Sequence, residues 1–589
     1  MNMKTRYTFS IVLAALLLLV NIRLFAQSQY DVVVNSNFSP SISDAQEKIN
    51  AKAEIKDTVK NVRAVAYNVE TPVYDYSLPP QPINAPKVGK DMIARLYRNY
   101  LKVGFGNYIT PYLDFEANSL RSTQYTLSAK VFHHSSWGKI KTYAPAHFSD
   151  TRVNLYGQKY FNNYTLAASA GYNHLLAECY GFQPDTVFGD LKKDSTDKID
   201  IKGKDIARQY HHAFADMSLA SNALHNAFKL NQYYHVGYDF LTDNNKNTYE
   251  HLLNMDVAID HNIKVKKMEY INVGGTLGMD YQHNRWQGTN LTDNWKIYLN
   301  PFAALQWKDY YFKVGFNATF SLAPQQKLFH IYPDIEAKLA FVPNIFSLYL
   351  KVDGGLRHNS LLRMIGENPY LSDVLPIYNI DEKTRIYLGL QTSVSRSLTI
   401  GAGASFSFYE GLPFYMPDTN HTFTYRDSTV RLFNTFTLTD DTTTAKVLNV
   451  HFDLNYKYAD MLKLGCNVDY NLYLLSKNVL KPWYQPALTV QFNAQYILLK
   501  KFVFKLDFYV SAFACRPDFS GETVKSVNLS PVFDFDFGFE YLWSKRFSIF
   551  ADLNNFPCQR NRVYYDYPNH RINALVGVKY CFGGEAVNK

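Results

Sequence analysis

In the stretch Leu462-Lys-Leu-Gly-Cys-Asn-Val-Asp-Tyr-Asn-Leu-Tyr-Leu474, the residues Leu462, Leu464, Cys466, Val468, Tyr470, Leu472 and Leu474 alternate with Lys463, Gly465, Asn467, Asp469 and Asn471. A period of two sends successive side chains to opposite faces of a strand, so one face is apolar and the other hydrophilic. The pattern recurs on both sides. Leu448, Val450, Phe452, Leu454 and Tyr456 oppose Asn449, His451, Asp453 and Asn455; Leu488, Val490, Phe492 and Ala494 oppose Thr489, Gln491 and Asn493; Phe533, Phe535, Phe537 and Phe539 oppose Asp534, Asp536 and Gly538.

The face that is buried, and the medium it is buried in, decide the class. Strands of soluble β-sandwiches average five or six residues and carry abundant Lys and Glu outside. Most runs here extend over nine to thirteen residues, the length that crosses a bilayer at a steep tilt. Their polar face is rich in Asn, Gln, Thr, Gly and Asp, which suits a hydrated lumen. We therefore expect an all-β fold, a transmembrane antiparallel barrel; a secreted multi-sandwich protein is the competing reading. Asn449, His451, Asp453, Asn455, Asn467, Asp469, Gln491, Asn493, Asp534 and Asp536 are the expected lumen wall. The pairs Tyr97 and Tyr100, Trp295 and Trp307, Tyr310 and Tyr311, and Trp483 and Tyr484 gather toward run ends, where amphipathic rings favour the lipid headgroup level.

Composition agrees. Aromatic residues make up 16% of the 589 and charged residues only 19%, against a usual quarter. After the N-terminus no run approaches eighteen consecutive apolar residues, which excludes a bundle of membrane helices. Lys4 and Arg6 precede the apolar stretch Phe9 to Val20, and Ala26 follows with Leu24 at the −3 position, the layout of a secretory signal peptide cleaved near Ala26. Loss of Lys4, Arg6 and Arg23 reduces the net charge of +9, and the remaining excess forms no basic run, so nucleic-acid binding is not expected. Gln27 to Leu96 is polar and holds Pro79, Pro80, Pro82 and Pro86, as in an extended periplasmic tail and linker.

From Tyr97 to Phe582 the alternation supports about 22 strands (16 to 24), beginning with Tyr97 to Gly106, Pro111 to Asn118, Tyr125 to His134, Thr151 to Tyr160 and Tyr164 to Asn173, and ending with Val532 to Leu542, Phe547 to Asn554 and Arg571 to Phe582. Phe433 to Leu438 is ambiguous. Short turns such as Ser221 to Asn226, Lys308 to Asp309 and Pro343 to Asn344 should face the periplasm. The long excursions Leu175 to Arg208, His358 to Lys383, Glu410 to Lys446 and Ser476 to Gln485 should lie outside. A barrel this wide, roughly 40 Å between backbones, needs a filling: inward-folded loops, the Gln27 to Leu96 tail or a partner.

The run Tyr332-Pro-Asp-Ile-Glu-Ala-Lys-Leu-Ala-Phe341, the strand Phe346 to Arg357 and Asn368-Pro-Tyr-Leu371 resemble the barrel portion of TonB-dependent receptors of Bacteroidota. Tyr30, Asp31, Val32, Val33 and Val34 resemble the coupling box through which such receptors contact their energising partner; plain extended tail is the alternative. Two departures stand out. Gln27 to Leu96 is short and proline-rich for a full plug domain, and seven residues follow the terminal aromatic Phe582. The resemblance implies a receptor-like barrel in which plug-dependent uptake is open.

No phosphate-binding Gly loop, H-E-x-x-H or G-x-S-x-G is present, so no enzyme, cofactor or metal site is expected. His133 with His134 and His211 with His212 point to opposite faces and cannot chelate as pairs. Asp534, Asp536 and Glu540 share a face that could favour cations or simply be polar wall. The five scattered cysteines lack C-x-x-C spacing, and one disulfide involving Cys515 and Cys558 stays open. The expected function is solute binding or passage by a receptor- or porin-like barrel in contact with outer-membrane lipid. The alternative is a structural component that anchors a periplasmic or surface complex through an envelope protein partner.

Overall fold

The computed structural model describes residues 97–584 apart from 120–121, 192–198, 223–229, 244–247, 266–267, 287–292, 324–326, 344, 440–443, 477–480, 520–521 and 565. The expected signal peptide, the tail and the last five residues lie outside the described residues.

The alternating runs form one sheet of 22 antiparallel strands, each paired to the next in sequence. The sheet closes on itself: the first strand, Tyr97–Gly106, pairs with the last, Asn573–Gly584, through a register that runs from Tyr97 opposite Gly584 to Gly106 opposite Leu575. Closure leaves no sheet edge, so the main-chain donors and acceptors of every strand meet partners without water, the condition for crossing a bilayer. The apolar face points outward. Val314, Ile331, Leu388, Leu472 and Val576 on five different strands are all exposed, although each has the composition of a core residue. Lipid, not protein, is the medium that buries this belt, and the chain is an integral outer-membrane barrel.

Val532–Leu542 and Phe547–Asn554 have the expected boundaries. Others run longer: Tyr164–Glu178 continues five residues past Asn173, and the strands Thr248–Val265 and Met268–Arg285 reach eighteen residues. Phe433 to Leu438 supplies no barrel strand. Only Phe436–Leu438 is extended, and it pairs with Tyr415–Pro417 inside a loop.

All long connections emerge at one rim, and Lys308–Asp309 and Arg396–Ser397 close turns at the other. Among the described residues, the long loops hold the only extensive core. Tyr180, Phe188, Leu361, Met364, Leu371, Leu375, Phe414, Phe436 and Tyr567, from different loops, pack in one buried cluster. Trp483 and Tyr484 belong to it as well, 2% and 6% exposed, so they do not form part of a lipid girdle. The reason is their loop: Tyr484 N–H donates to Cys515 O at 2.9 Å, which ties the segment to the neighbouring loop. Trp307 fits the girdle, exposed beside Tyr310 with ring centroids 6.0 Å apart. The five cysteines form no disulfide.

Candidate functional site: the capped mouth of the barrel

Three loops carry the centre of the cap. They follow the fifth strand (Tyr164–Glu178), the thirteenth (Phe346–Arg357) and the twenty-first (Phe547–Asn554), so they are rooted eight, eight and six strands apart around the ring of 22. Segments anchored about a third of the circumference apart meet only near the barrel axis. They do meet there: Tyr370 stacks on Tyr567 with centroids 4.0 Å apart and planes at 24°, and Tyr180 packs edgewise on both, at 4.9 Å from Tyr567 and 6.0 Å from Tyr370. Offset-stacked and edge-to-face contacts are the favoured aromatic geometries.

Each phenol needs a partner once buried. Tyr180 Oη donates to Pro568 O at 3.2 Å, and Tyr567 Oη donates to Asn434 O. Asn434 Nδ2 in turn donates to Cys179 O at 2.8 Å, which closes a path between the first and third loops. Burial pushes the Tyr180 phenol up to about 12 and those of Tyr370 and Tyr567 well above their ordinary value, so all three stay neutral at physiological pH.

The middle loop is pinned to the inner wall. Its short helix, Leu361–Glu367, is capped by Ser360, whose hydroxyl accepts from Arg363 N–H at 3.2 Å. The first two helical N–H groups, Leu361 and Leu362, donate to the two oxygens of Glu250 at 2.9 and 3.0 Å, which satisfies orphan donors at a helix start. Glu250 is fully buried and also accepts from Gln282 Nε2 at 2.8 Å. Further along, Arg208 Nη1 lies 3.1 Å from Asp243 and 2.6 Å from Asp373, and Nη2 donates to Leu371 O at 2.7 Å. Tyr210 Oη donates to Pro369 O at 2.9 Å, and Asn294 Nδ2 to Asn379 Oδ1 at 2.7 Å. Buried charges persist only when paired in this way.

The residues singled out in the sequence fall into one connected surface on the other side of the ring. Strand register sets Asn449 opposite Asn471, His451 opposite Asp469, and Asp453 opposite Asn467, which faces Gln491; Asn455 and Asn493 flank Gly465. Asn449 Nδ2 donates to Asn471 Oδ1 at 2.9 Å, and His451 Nδ1 lies 2.9 Å from Asp469. Asp536 sits opposite Asp507 and Asp534 opposite Tyr509, two neighbours that the sequence reading did not single out. His133 bonds Thr151 at 2.8 Å and His212 bonds Asp239 at 2.8 Å, each within the sheet. Among the described residues no group of three or more His, Cys, Asp or Glu is arranged to hold a metal ion. Tyr30, Asp31, Val32, Val33 and Val34 lie outside the described residues.

The cap residues Tyr180, Arg208, Glu250 and Tyr567 had no local signal. Tyr370 stood within a quoted motif, but nothing in its neighbourhood announced its partners.

No family model and no curated protein matches this sequence. Solved structures do match. The ferripyoverdine receptor of the outer membrane of Pseudomonas aeruginosa superposes with a TM-score of 0.59 at 9% identity over 83% of this chain and 72% of that one. The siderophore receptor PirA from Acinetobacter baumannii gives 0.59 at 9% over 83% and 81%, and the ferric-catecholate import receptor Fiu from Escherichia coli K12 gives 0.58 at 8% over 83% and 82%. At such identities the likeness is one of fold: this chain shares the barrel architecture of outer-membrane receptors.

Proposed function

We propose that the barrel is a receptor-type passage for a solute, with the long-loop cap as its outer gate. The observation that carries this reading is the meeting of Tyr180, Tyr370 and Tyr567 near the axis, because it puts a packed apolar layer across the mouth of the ring. Beneath it, Asn449, His451, Asp453, Asn467, Asp469, Gln491 and Asn493 serve as the polar wall of a water-filled lumen, and lateral pairs such as His451 with Asp469 keep that wall hydrogen-bonded. The similar structures are described as receptors and import proteins for siderophores and iron, and by analogy the cargo here is a compact polar solute that binds from the loop side. An anchoring role needs neither a cap on the axis nor a polar wall, so transport is the better account.

Planar-bilayer conductance of the purified protein tests this. The intact chain should be nearly closed, and a variant lacking 360–378 should conduct in steps. A shortened-loop variant that folds, as judged by its migration on gels without boiling, yet stays silent would overturn the gate.

A further inference from the structure

The two rims of the barrel differ in charge. The described turns at the short-turn rim expose Lys308, Arg396, Lys500, Lys501, Lys545 and Arg546 against Asp309 and Asp460. The long-loop rim mixes both signs, as Asp200 and Asp205 beside Lys202 and Lys204 illustrate. The cations come with exposed apolar companions. Leu499 (75% exposed) precedes Lys500, and Trp543 (69%) precedes Lys545. Lys308 Nζ lies 5.8 Å from the Trp307 ring and Lys159 Nζ lies 5.4 Å from the Phe161 ring. An aromatic body with a cationic neighbour suits the boundary between acyl chains and headgroups.

The placement identifies the partner. These residues sit at the end of the fourth strand (Lys159) and after the tenth, fourteenth, eighteenth and twentieth, so the positive charge follows the ring and is not gathered into one sector. An acidic protein would dock on a sector; a leaflet of headgroups surrounds the whole rim.

One place on the ring offers more than a rim. A depression of about 1060 Å³ indents the outer face of the first seven strands. Its floor is made of Ala117, Ala129, Gly157, Ala168, Ala170 and Ala215, and Leu155 and Met217 form its sides. Strand register threads it along Asn99, Ala117, Ala129, Leu155, Ala170, Ala215 and Tyr238. Seven strands at the usual spacing make this line about 29 Å long, ample for a single acyl chain. A second depression of about 490 Å³ shares Tyr125, Leu127, Gly157 and Ala168 with the first and includes Lys159. The groove thus leads from lipid-facing small residues down to an exposed ammonium at the basic rim.

We propose that the short-turn rim binds the phosphates of anionic phospholipids, and that one such lipid is retained with an acyl chain in this groove and its headgroup at Lys159. Each Lys or Arg near a charged leaflet adds to the attraction, so the ring as a whole selects acidic lipid, while the groove supplies residence.

The test uses the full-length protein, delipidated in detergent and placed in nanodiscs of phosphatidylcholine with or without phosphatidylglycerol, followed by native mass spectrometry after release. Phosphatidylglycerol should stay bound in excess. The last retained molecule should be lost several-fold more readily in Lys159→Glu and in Ala170→Leu, whereas Lys500→Glu with Lys501→Glu should lower total lipid but leave that molecule in place. Folding of each variant is read from its migration without boiling. Equal retention of the two lipids, unchanged retention in folded Lys159→Glu, or cross-linking of two copies through Ala170→Cys would overturn the proposal.

Discussion

Tyr370 and Tyr567 lie face to face, 4.0 Å between centroids, although their loops leave the sheet eight strands apart. The stack is therefore a tie between loops rooted about a third of the circumference apart and not a local contact. Its loss leaves Tyr564, whose hydroxyl donates to Glu367 O at 3.2 Å, as a weaker tie between the same two loops.

Truncation of Tyr567 removes a ring that is 3% exposed and packs on Tyr180, Tyr370 and Phe436, and large-to-small changes of buried aromatics cost about 3–5 kcal/mol. Tyr567→Ala should release the cap while the barrel survives, because the ring contacts loops and no barrel strand depends on it. Limited proteolysis should then cut within 358–379 and 555–572 in the variant but not in the parent. Tyr567→Phe, which keeps the stacked ring and loses the hydroxyl's hydrogen bonds, that to Asn434 O among them, should resemble the parent more closely.

Arg208 is the buried cation between Asp243 and Asp373. Arg208→Ala removes a cation 3.1 Å from Asp243, which is 1% exposed, and breaking one side of a buried pair costs about 3–5 kcal/mol. The variant should loosen the loop that bears Asp373 and raise its hydrogen-exchange rate. Replacement of all three residues by apolar ones of similar volume should restore protection, since no uncompensated charge would remain.

His358 supplies the pH dependence. It follows the strand Phe346–Arg357, and burial, with a further contribution from Lys296, pushes its imidazole from 6.5 down to about 3. The folded cap holds this ring neutral, and the released loop binds a proton below pH 6.5. Its contribution to cap stability is therefore complete above that value and falls by about 1.4 kcal/mol per unit as the pH drops from 6.5 toward 3. Exchange rates of the loop amides should rise on acidification from pH 7 to 5, and His358→Gln should flatten that rise.

The barrel was legible because lipid enforces a rule at every second residue. Phe533, Phe535 and Phe537 opposite Asp534 and Asp536 announce a strand whatever lies elsewhere in the chain. The rule ends where the membrane ends, which is why Tyr164–Glu178 outran its expected limit: Leu175, Leu176 and Ala177 are apolar in succession, and Leu175 packs against the cap. The cap itself obeys no period. Tyr180 and Tyr567 are separated by nearly four hundred residues, and Trp483 and Tyr484 read as headgroup anchors because composition cannot tell an aromatic at a lipid boundary from one turned into a loop core.

Closure of the ring predicts a gel phenotype. Gly577 and Gly104 face each other where the first and last strands join, and a Cβ on Gly577 would lie 2.6 Å from the Gly104 Cα and from the Phe550 ring. Both neighbours are packed, so neither can yield cheaply, and the cost falls on the one pairing that removes both sheet edges. Gly577→Val should thus abolish the compact, fast-migrating species that a closed barrel keeps in dodecyl sulfate before boiling. Val576→Leu, one residue away on the exposed outer face, should retain it, because lipid accommodates the added methylene. If Gly577→Val migrates like the parent before and after boiling, the first and last strands are not the seam.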